Sequence, residues 1–319
     1  MKKKYLVIGG CGFIGSHLVK KLVSKNEDVV VVDNLSAGKI EFLKYYSSKP
    51  NLEIIQCDIL NHKDLNEAFK RSNPDTVIHL AAIHHIPTCD QNPVLTLRTN
   101  IEGVQNVLNE CAKSEVKRLI FTSTGAIYSE TNAPLNELSA IDPQNIYGLS
   151  KKCAEDLIKI FSKRTKCASI IVRLFNTVGT NETNKHLIPD ILEQIWKGKT
   201  TIRLGNLSPR RDYIHVLDVV DAIYLLSKVK IQGNFEIVNV GSGKEYSVED
   251  VVNLLSKILS RKIIANSDPD LKRRFDRKSQ LADINKIQRL ITWKPIRSLE
   301  EAFKEILDQY NKGFRLGKA

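Results

Sequence analysis

Short runs of β-branched and aliphatic residues alternate with longer stretches of helical spacing through the first 173 residues, and this alternation narrows the possible folds more than any other feature. Tyr5 to Ile8, Val29 to Val32, Leu52 to Gln56, Thr76 to Leu80, Arg118 to Thr122 and Ser169 to Val172 read as strands, most of them apolar on both faces. Doubly apolar strands belong in a parallel sheet, where crossover segments cover both sides. Phe13 to Lys25, His62 to Arg71, Pro93 to Lys113 and Tyr147 to Lys166 supply helical crossovers, the third opened by a proline whose missing N–H does no harm there. The pattern predicts a doubly wound α/β fold.

After Arg173 the alternation breaks. Helical spacing recurs at His186 to Lys197, Val216 to Lys228, Val248 to Leu259 and Leu299 to Asn311, between turns at Gly205 to Pro209 and Gly241 to Gly243. The expected division is a sheet domain of residues 1–173 plus about 215–240, and a smaller mixed α/β substrate lobe of about 174–214 plus 241–319. A ligand is expected at their interface. The 319 residues, 42% hydrophobic, are enough for such a core. Six cysteines without a CxxC pair argue against a disulfide scaffold or zinc ribbon and fit a reducing compartment. The basic, apolar start is interrupted by glycines at 9, 10, 12 and 15, which spoils it as an export signal, and no later run reaches the ~18 apolar residues of a membrane span. A cytoplasmic protein is expected. The formal charge of +12 comes from scattered lysines and one short run, Lys272, Arg273, Arg274, Arg277 and Lys278; it reads as a lysine-rich surface, since no nucleic-acid or membrane motif accompanies it.

Two motifs carry chemistry. Gly9, Gly10, Cys11, Gly12, Phe13, Ile14 and Gly15 follow the first strand and open the first helix; Gly10, Gly12 and Gly15 match GxGxxG, and Gly9, Gly12 and Gly15 equally match GxxGxxG. Glycines there allow a tight turn, close approach of backbone to a pyrophosphate and close packing of helix on strand. Asp33, ending the second strand, is placed to accept from an adenosine ribose and to repel a 2′-phosphate, so NAD is preferred over NADP. Cys11 reads as a small packing residue in this loop. In the second motif, Tyr147 and Lys151 share a helix face four residues apart, where an ammonium can bring a phenol down toward the working pH range. The run Phe121 to Tyr128 before it places the hydroxyls of Thr122, Ser123 and Thr124 at the carboxyl edge of the sheet.

With these residues, and with Asn34, Leu35, Ser36, Ala37 and Gly38 after Asp33, Cys57 and Asp58, His79 to Ala82, Asn100, Arg173, Asn176, Gly179, Arg211 to Val216, Ala282, Asp283, Trp293 and Pro295, the chain resembles the extended short-chain dehydrogenase/reductases, specifically the nucleotide-sugar epimerase and dehydratase family. The resemblance covers nearly the full length. It implies a Rossmann sheet and NAD as cofactor, held by Gly9, Gly12, Phe13, Ile14, Gly15, Asp33, Asn34, Ser36, Asp58, Ile59, Leu80, Ala81, Ala82, Asn100, Tyr147 and Lys151. It implies Thr124, Tyr147 and Lys151 as the catalytic set, with Thr124 on the sugar 4-hydroxyl. Asn176 and Arg211 match positions that hold a nucleotide diphosphate, and Arg273 resembles the second arginine of that clamp. Asn100 matches a residue that positions the catalytic hydroxyls. A homodimer through the helices Pro93 to Lys113 and Tyr147 to Lys166 is implied as well.

The implied mechanism removes the proton of the 4-hydroxyl through Tyr147 while hydride passes from C4 to NAD, giving a 4-keto sugar. That ketone can take hydride back on its other face, lose water, or lose CO2 if it is a uronate. Family dehydratases carry an acidic pair directly after the catalytic Thr, and the decarboxylases keep a glutamate there. Gly125 and Ala126 stand at those positions and cannot transfer a proton, which favours a UDP-glucose 4-epimerase-like activity; a 4,6-dehydratase or 4-keto reductase is the alternative. Leu204, Gly205, Asn206 and Leu207 resemble a segment of the GDP-mannose dehydratases as much as that of the epimerases. A non-catalytic NAD-binding sensor is a further alternative, though such proteins generally lose the Tyr and Lys. The residue gating N-acetyl sugars falls on Gln280, neither large nor small. His84 and His85 are adjacent on one loop with no nearby cluster to complete a ligand set, so they are read as substrate-side loop residues and no metal is expected. His215 is read as structural.

Overall fold

The computed structural model describes residues 3–184, 186–271 and 277–312. The first part of the chain runs β1 (Lys4–Ile8), α1 (Phe13–Ser24), β2 (Asp28–Asp33), β3 (Leu52–Gln56), α2 (His62–Ser72), β4 (Thr76–His79), α3 (Ile86–Gln91), α4 (Pro93–Leu97), α5 (Gly103–Lys113), β5 (Arg118–Thr124), α6 (Ile146–Arg164) and β6 (Ala168–Leu174). It continues with β7 (Asn176–Val178), α7 (Leu187–Trp196), β8 (Thr201–Leu204), β9 (Arg210–His215), α8 (Val216–Leu226), β10 (Phe235–Val240), β11 (Glu245–Ser247), α9 (Val248–Ile258), β12 (Ile264–Ser267), α10 (Asn285–Leu290) and α11 (Leu299–Asn311).

Seven strands form one parallel sheet in the order β10-β6-β5-β4-β1-β2-β3. The aliphatic runs predicted as strands make up its first six members, and β10 joins from beyond residue 230 to cover the edge of β6. Leu18 and Leu22 of α1 pack with Val219 and Ile223 of α8 on one face of the sheet, while Leu65 and Phe69 of α2, Val107 of α5 and Ile158 of α6 pack on the other. Strand order reverses at β1, which pairs with β2 on one side and β4 on the other. A crevice opens beyond the carboxyl ends of the strands at such a reversal, the usual ligand position in this fold.

The remaining residues build on that end of the sheet. A three-stranded sheet, β11-β9-β7, and a two-stranded one, β12-β8, surround a third core in which Ile191, Leu192, Val251, Leu255 and Phe303 join α7, α9 and α11. Ser247 with Asp250 and Ser298 with Glu301 cap α9 and α11 in reciprocal capping boxes, which fixes where both helices start.

The structure corrects one expected element. The single helix over Pro93 to Lys113 is divided into α4, a π-turn at Arg98–Glu102 and α5. The widened turn accommodates Asn100, whose side chain is drawn inward to bond another loop rather than left on a regular helical face.

Candidate active site

A cleft of about 1080 Å³ lies at the carboxyl end of the sheet. Its floor is the glycine turn. Gly9 adopts φ +82°, and a Cβ there would meet the Ala81 backbone nitrogen at 2.7 Å, while one at Gly15 would fall 2.1 Å from the Gly9 carbonyl oxygen. Both contacts are with backbone, which cannot step aside, so the turn requires glycine at these positions. Gly12 is the N-cap of α1 and offers no side-chain cap, which leaves the positive end of that 12-residue helix open to an anion alongside Phe13 and Ile14.

Asp33 ends β2 and accepts from Cys11 N and Leu35 N, both at 2.9 Å, so its carboxylate is locked to the glycine turn at the rim of the cleft. Beside it Asn34 donates to Asp58 (2.9 Å) and accepts from Ser36, and Ile59 packs under Gly103. Leu80 N and Ala81 N both bond Ile8 O, which brings Leu80, Ala81 and Ala82 along the opposite wall. Cys11 is fully buried and its thiol is pushed up to about 12, which fits packing rather than redox chemistry.

The groups expected to react come from β5 and α6. Asn145 caps α6 by accepting from Gly148 N at 2.8 Å, which places Tyr147 in the first turn and Lys151 one turn deeper, both lining the cleft. The Tyr147 phenol and the Thr124 hydroxyl both line the cleft, Thr124 being the last residue of β5 and close enough to act on the phenol. Ser123 has a buried hydroxyl with no partner among the described residues, so Thr124 is the hydroxyl that faces the tyrosine. The electrostatics differ from the expectation. Burial pushes the Tyr147 phenol up to about 12, with the Thr124 hydroxyl as the opposing influence. Burial likewise brings Lys151 down to about 7, opposed by the charge of Glu155, and its ammonium sits 4.0 Å over the Phe121 ring. Desolvation therefore outweighs the predicted pull of Lys151 on the phenol in the protein alone.

Behind Thr124 the expected absence of an acid is reinforced by packing. A Cβ at Gly125 would lie 2.9 Å from Gln280 Nε2 and 3.3 Å from the Phe175 ring. A carboxylate side chain at this position would have to displace the end of the Gln280 side chain and press on the Phe175 ring. Gln280 is fixed in register by its bonds with Arg210 O and Asp212 N.

On the far side, Asn176 and Arg211 line the cleft, Arg211 donating to Arg210 O (2.8 Å) and Arg277 O (2.7 Å). Arg211 is held there because its neighbour Asp212 is buried beneath the strand, accepting from Ser242 N (2.7 Å), Gly243 N (2.9 Å) and Ala282 N (3.2 Å). Arg273 lies outside the described residues. Arg277, from the same basic run, was not singled out in sequence: it is buried on the cleft wall and donates to Gly125 O (3.3 Å) and Ala126 O (2.9 Å). It thereby fixes the turn that follows Thr124. Nothing local distinguishes it from its neighbours in the run, since only the long-range pairing of the segment with β9 turns it inward.

Asn100, grouped with the cofactor-contacting residues, is buried at the wall, where it accepts from Ile83 N (2.9 Å) and donates to Ile83 O (2.8 Å) and Ser150 Oγ (3.0 Å). One further expectation needs correction. His84 and His85 do have cluster partners, because the fold carries Glu182 and His186 to them. His215 caps α8 by accepting from Leu217 N at 3.1 Å, a structural role.

A sequence model of the family described as NAD dependent epimerase/dehydratase matches residues 5–241. Among solved structures, the chain is similar to a UDP-glucose 4-epimerase from Thermotoga maritima with UDP-glucose, 30% identical, TM-score 0.87, covering 97% of this chain and 99% of that one. It is similar to a UDP-N-acetylglucosamine 4-epimerase from Methanobrevibacter ruminantium, 29% identical, TM-score 0.88, covering 98% and 100%. A curated UDP-N-acetyl-alpha-D-glucosaminuronate decarboxylase from Bacillus cytotoxicus is 27% identical over 98% of this chain and 99% of its own length.

Proposed function

The chain belongs to the NAD-dependent epimerase/dehydratase family, and from that footing we propose that it interconverts the C4 epimers of a UDP-sugar, UDP-glucose and UDP-galactose or their N-acetyl analogues. The observation that carries this reading is the Thr124 hydroxyl set beside the Tyr147 phenol in the cleft and followed by Gly125 and Ala126, with Gln280 and Phe175 packed against Gly125. Such a site can move a proton at a sugar hydroxyl but holds no second acid or base after Thr124 to expel water or assist loss of CO2. That weighs against the dehydratase reading and against the chemistry of the decarboxylase relative.

The glycine turn, the open end of α1 and Asp33 fit NAD; Asn34, Ser36, Asp58 and Ile59 would hold its adenosine, and Ala81, Ala82 and Lys151 its nicotinamide end. NAD, when bound, supplies the acceptor for a hydride from sugar C4 and its return to the opposite face. Thr124 orients the 4-hydroxyl, and Tyr147 takes its proton and gives it back, so the net reaction is an isomerisation. Burial holds the phenol well above neutral pH, so an ammonium on Lys151 is needed to offset the phenolate charge. Asn176 and Arg211 hold the diphosphate, Arg211 as a planar donor fork. Residues 1–173 with about 215–240 form the cofactor lobe in this reading, and about 174–214 with 241–319 the sugar-nucleotide lobe. A homodimer through α4, α5 and α6 accords with the exposed Val94, Leu149 and Ile160 there; light scattering that gives a monomer mass would exclude it.

The decisive assay offers UDP-, GDP- and dTDP-hexoses and UDP-hexuronates to the purified protein and identifies products by NMR. UDP-galactose appearing from UDP-glucose supports the reading. A 4-keto-6-deoxy sugar or a pentose from a uronate would replace it, and no exchange at C4 with any donor would leave an NAD-binding sensor.

A further inference from the structure

Two loops that sequence reading kept apart meet on the cleft wall. One follows β4 and carries His84 and His85; the other follows β7 and carries Glu182, Asn184 and His186. A nitrogen of His84, a carboxylate oxygen of Glu182 and a nitrogen of His186 lie within 4.8 Å of one another, all three side chains half-buried. The His84 and His186 rings stand 5.6 Å apart, and His85 stands 5.5 Å from His186.

The hydrogen bonds indicate what this geometry wants. Asn184 Nδ2 donates to His84 Nε2 at 3.2 Å and to Glu182 Oε1 at 3.4 Å. An electropositive amide thus sits where lone pairs from an imidazole and a carboxylate converge, and this is the position a cation would take. His84 Nδ1 is turned to Ala82 O at 3.5 Å, which leaves Nε2 as the acceptor; ligating histidines commonly orient themselves through such a carbonyl. Two imidazoles and a carboxylate form a donor set suited to zinc and its neighbours, and three protein ligands leave coordination positions open. Ligands of a tetrahedral zinc lie roughly 3.3 Å apart, so the three side chains need to draw in by about an ångström, a small adjustment for loop residues.

We propose that His84, Glu182 and His186 bind a divalent transition-metal ion, Zn2+ being the best match, with its open coordination positions facing the cleft. The ion ties the loop after β4 to the loop before α7 and adds positive charge to the wall that receives an anionic ligand. An oxygen of that ligand, or water, completes its shell. This goes beyond the proposed epimerase chemistry, which uses no metal, and its test involves no sugar.

The full chain, stripped with a chelator and dialysed, is titrated with Zn2+ against a chromophoric chelator and, separately, with Co2+ while visible absorption is followed. The expected result is one ion per chain at micromolar or lower Kd, Co2+ bands without thiolate charge transfer, and at least tenfold weaker binding in H84Q and E182Q. Zn2+ also protects His84 and His186 of the unmodified protein from carbethoxylation, read by mass spectrometry, a readout independent of whether the variants fold. Absence of saturable binding below about 0.1 mM, equal affinity in the variants, or unchanged labelling of both histidines overturns the proposal.

Discussion

Arg173 of β6 and Glu155 of α6 form a buried ion pair at the back of the catalytic helix, and removing the arginine alone should be among the most damaging single changes outside the cleft. Both side chains are nearly inaccessible, at 2% and 3% exposure. Arg173 donates in a fork to Glu155, at 3.0 Å from Nε and 2.7 Å from Nη2, and through Nη1 to Tyr128 Oη (2.9 Å) and Glu137 O (3.1 Å). Tyr128 in turn donates to Asn239 of β10 at 2.7 Å. Arg173→Met strands a carboxylate in a dry interior, which costs roughly 3–5 kcal/mol by analogy with other broken buried pairs. At about 2 °C per kcal/mol for a chain of this size, the melting temperature falls by ~8 °C. Pairing Arg173→Met with Glu155→Leu removes the stranded charge, so the double variant should recover to within ~2 kcal/mol of the parent. Stability and activity then separate. Glu155 lies one turn beyond Lys151 on α6 and favours its ammonium, so the double variant regains stability but not turnover at neutral pH. Urea denaturation of the parent, both single variants and the double, with NAD saturating, measures the coupling. A loss below ~1 kcal/mol for Arg173→Met, or a double variant as unstable as the sum of the singles, refutes the reasoning.

Tyr147→Phe should lose most of kcat while still binding NAD, because the cleft geometry survives without the hydroxyl; normal turnover measured by NMR would remove Tyr147 from the mechanism. Lys151→Met should stabilise the NAD-free protein by ~3 kcal/mol at pH 7 while abolishing activity. The folded lysine, at about 7, lies below its ordinary 10.5, so the unfolded chain binds the extra proton between those values. The parent gains stability as pH rises through that window, and the variant's advantage must shrink toward pH 10; an advantage independent of pH in urea melts would contradict the assignment. Asp33→Asn should narrow the preference for NAD over NADP by at least tenfold in fluorescence titrations, since the charge that repels a 2′-phosphate is gone. An unchanged preference would move that role to another residue.

The parts of this molecule legible in sequence are those governed by neighbours along the chain. Val29 to Val32 reads as a buried strand, and the glycine turn announces itself because its glycines fall within seven residues. What escaped notice depends on pairing across long separations. Strands β7, β8, β11 and β12 are three or four residues long, too short for alternation to register. Arg277 turns inward only because its segment runs beside β9, and a basic run does not say which of its members will be buried. His84 and Asn184 are 100 residues apart, so nothing near His84 hints at the carboxylate it meets. The π-turn at Arg98–Glu102 follows from a tertiary demand on Asn100 that overrides good helical spacing.

That asparagine also limits how the chain can change over time. Its single carboxamide grips both the N–H and the C=O of Ile83 and reaches Ser150 on the catalytic helix as well. Among side chains in their ordinary state at neutral pH, only a primary amide carries a donor and an acceptor side by side in one plane, and glutamine would arrive a methylene too far. Position 100 thus has almost no tolerable alternatives in sequence space. Drift in the loop after β4 or at the start of α6 has to be negotiated around a fixed amide. Two surfaces free to diversify for different sugars would therefore inherit a common hinge point, and relatives with new specificities should differ on either side of it far more readily than at it.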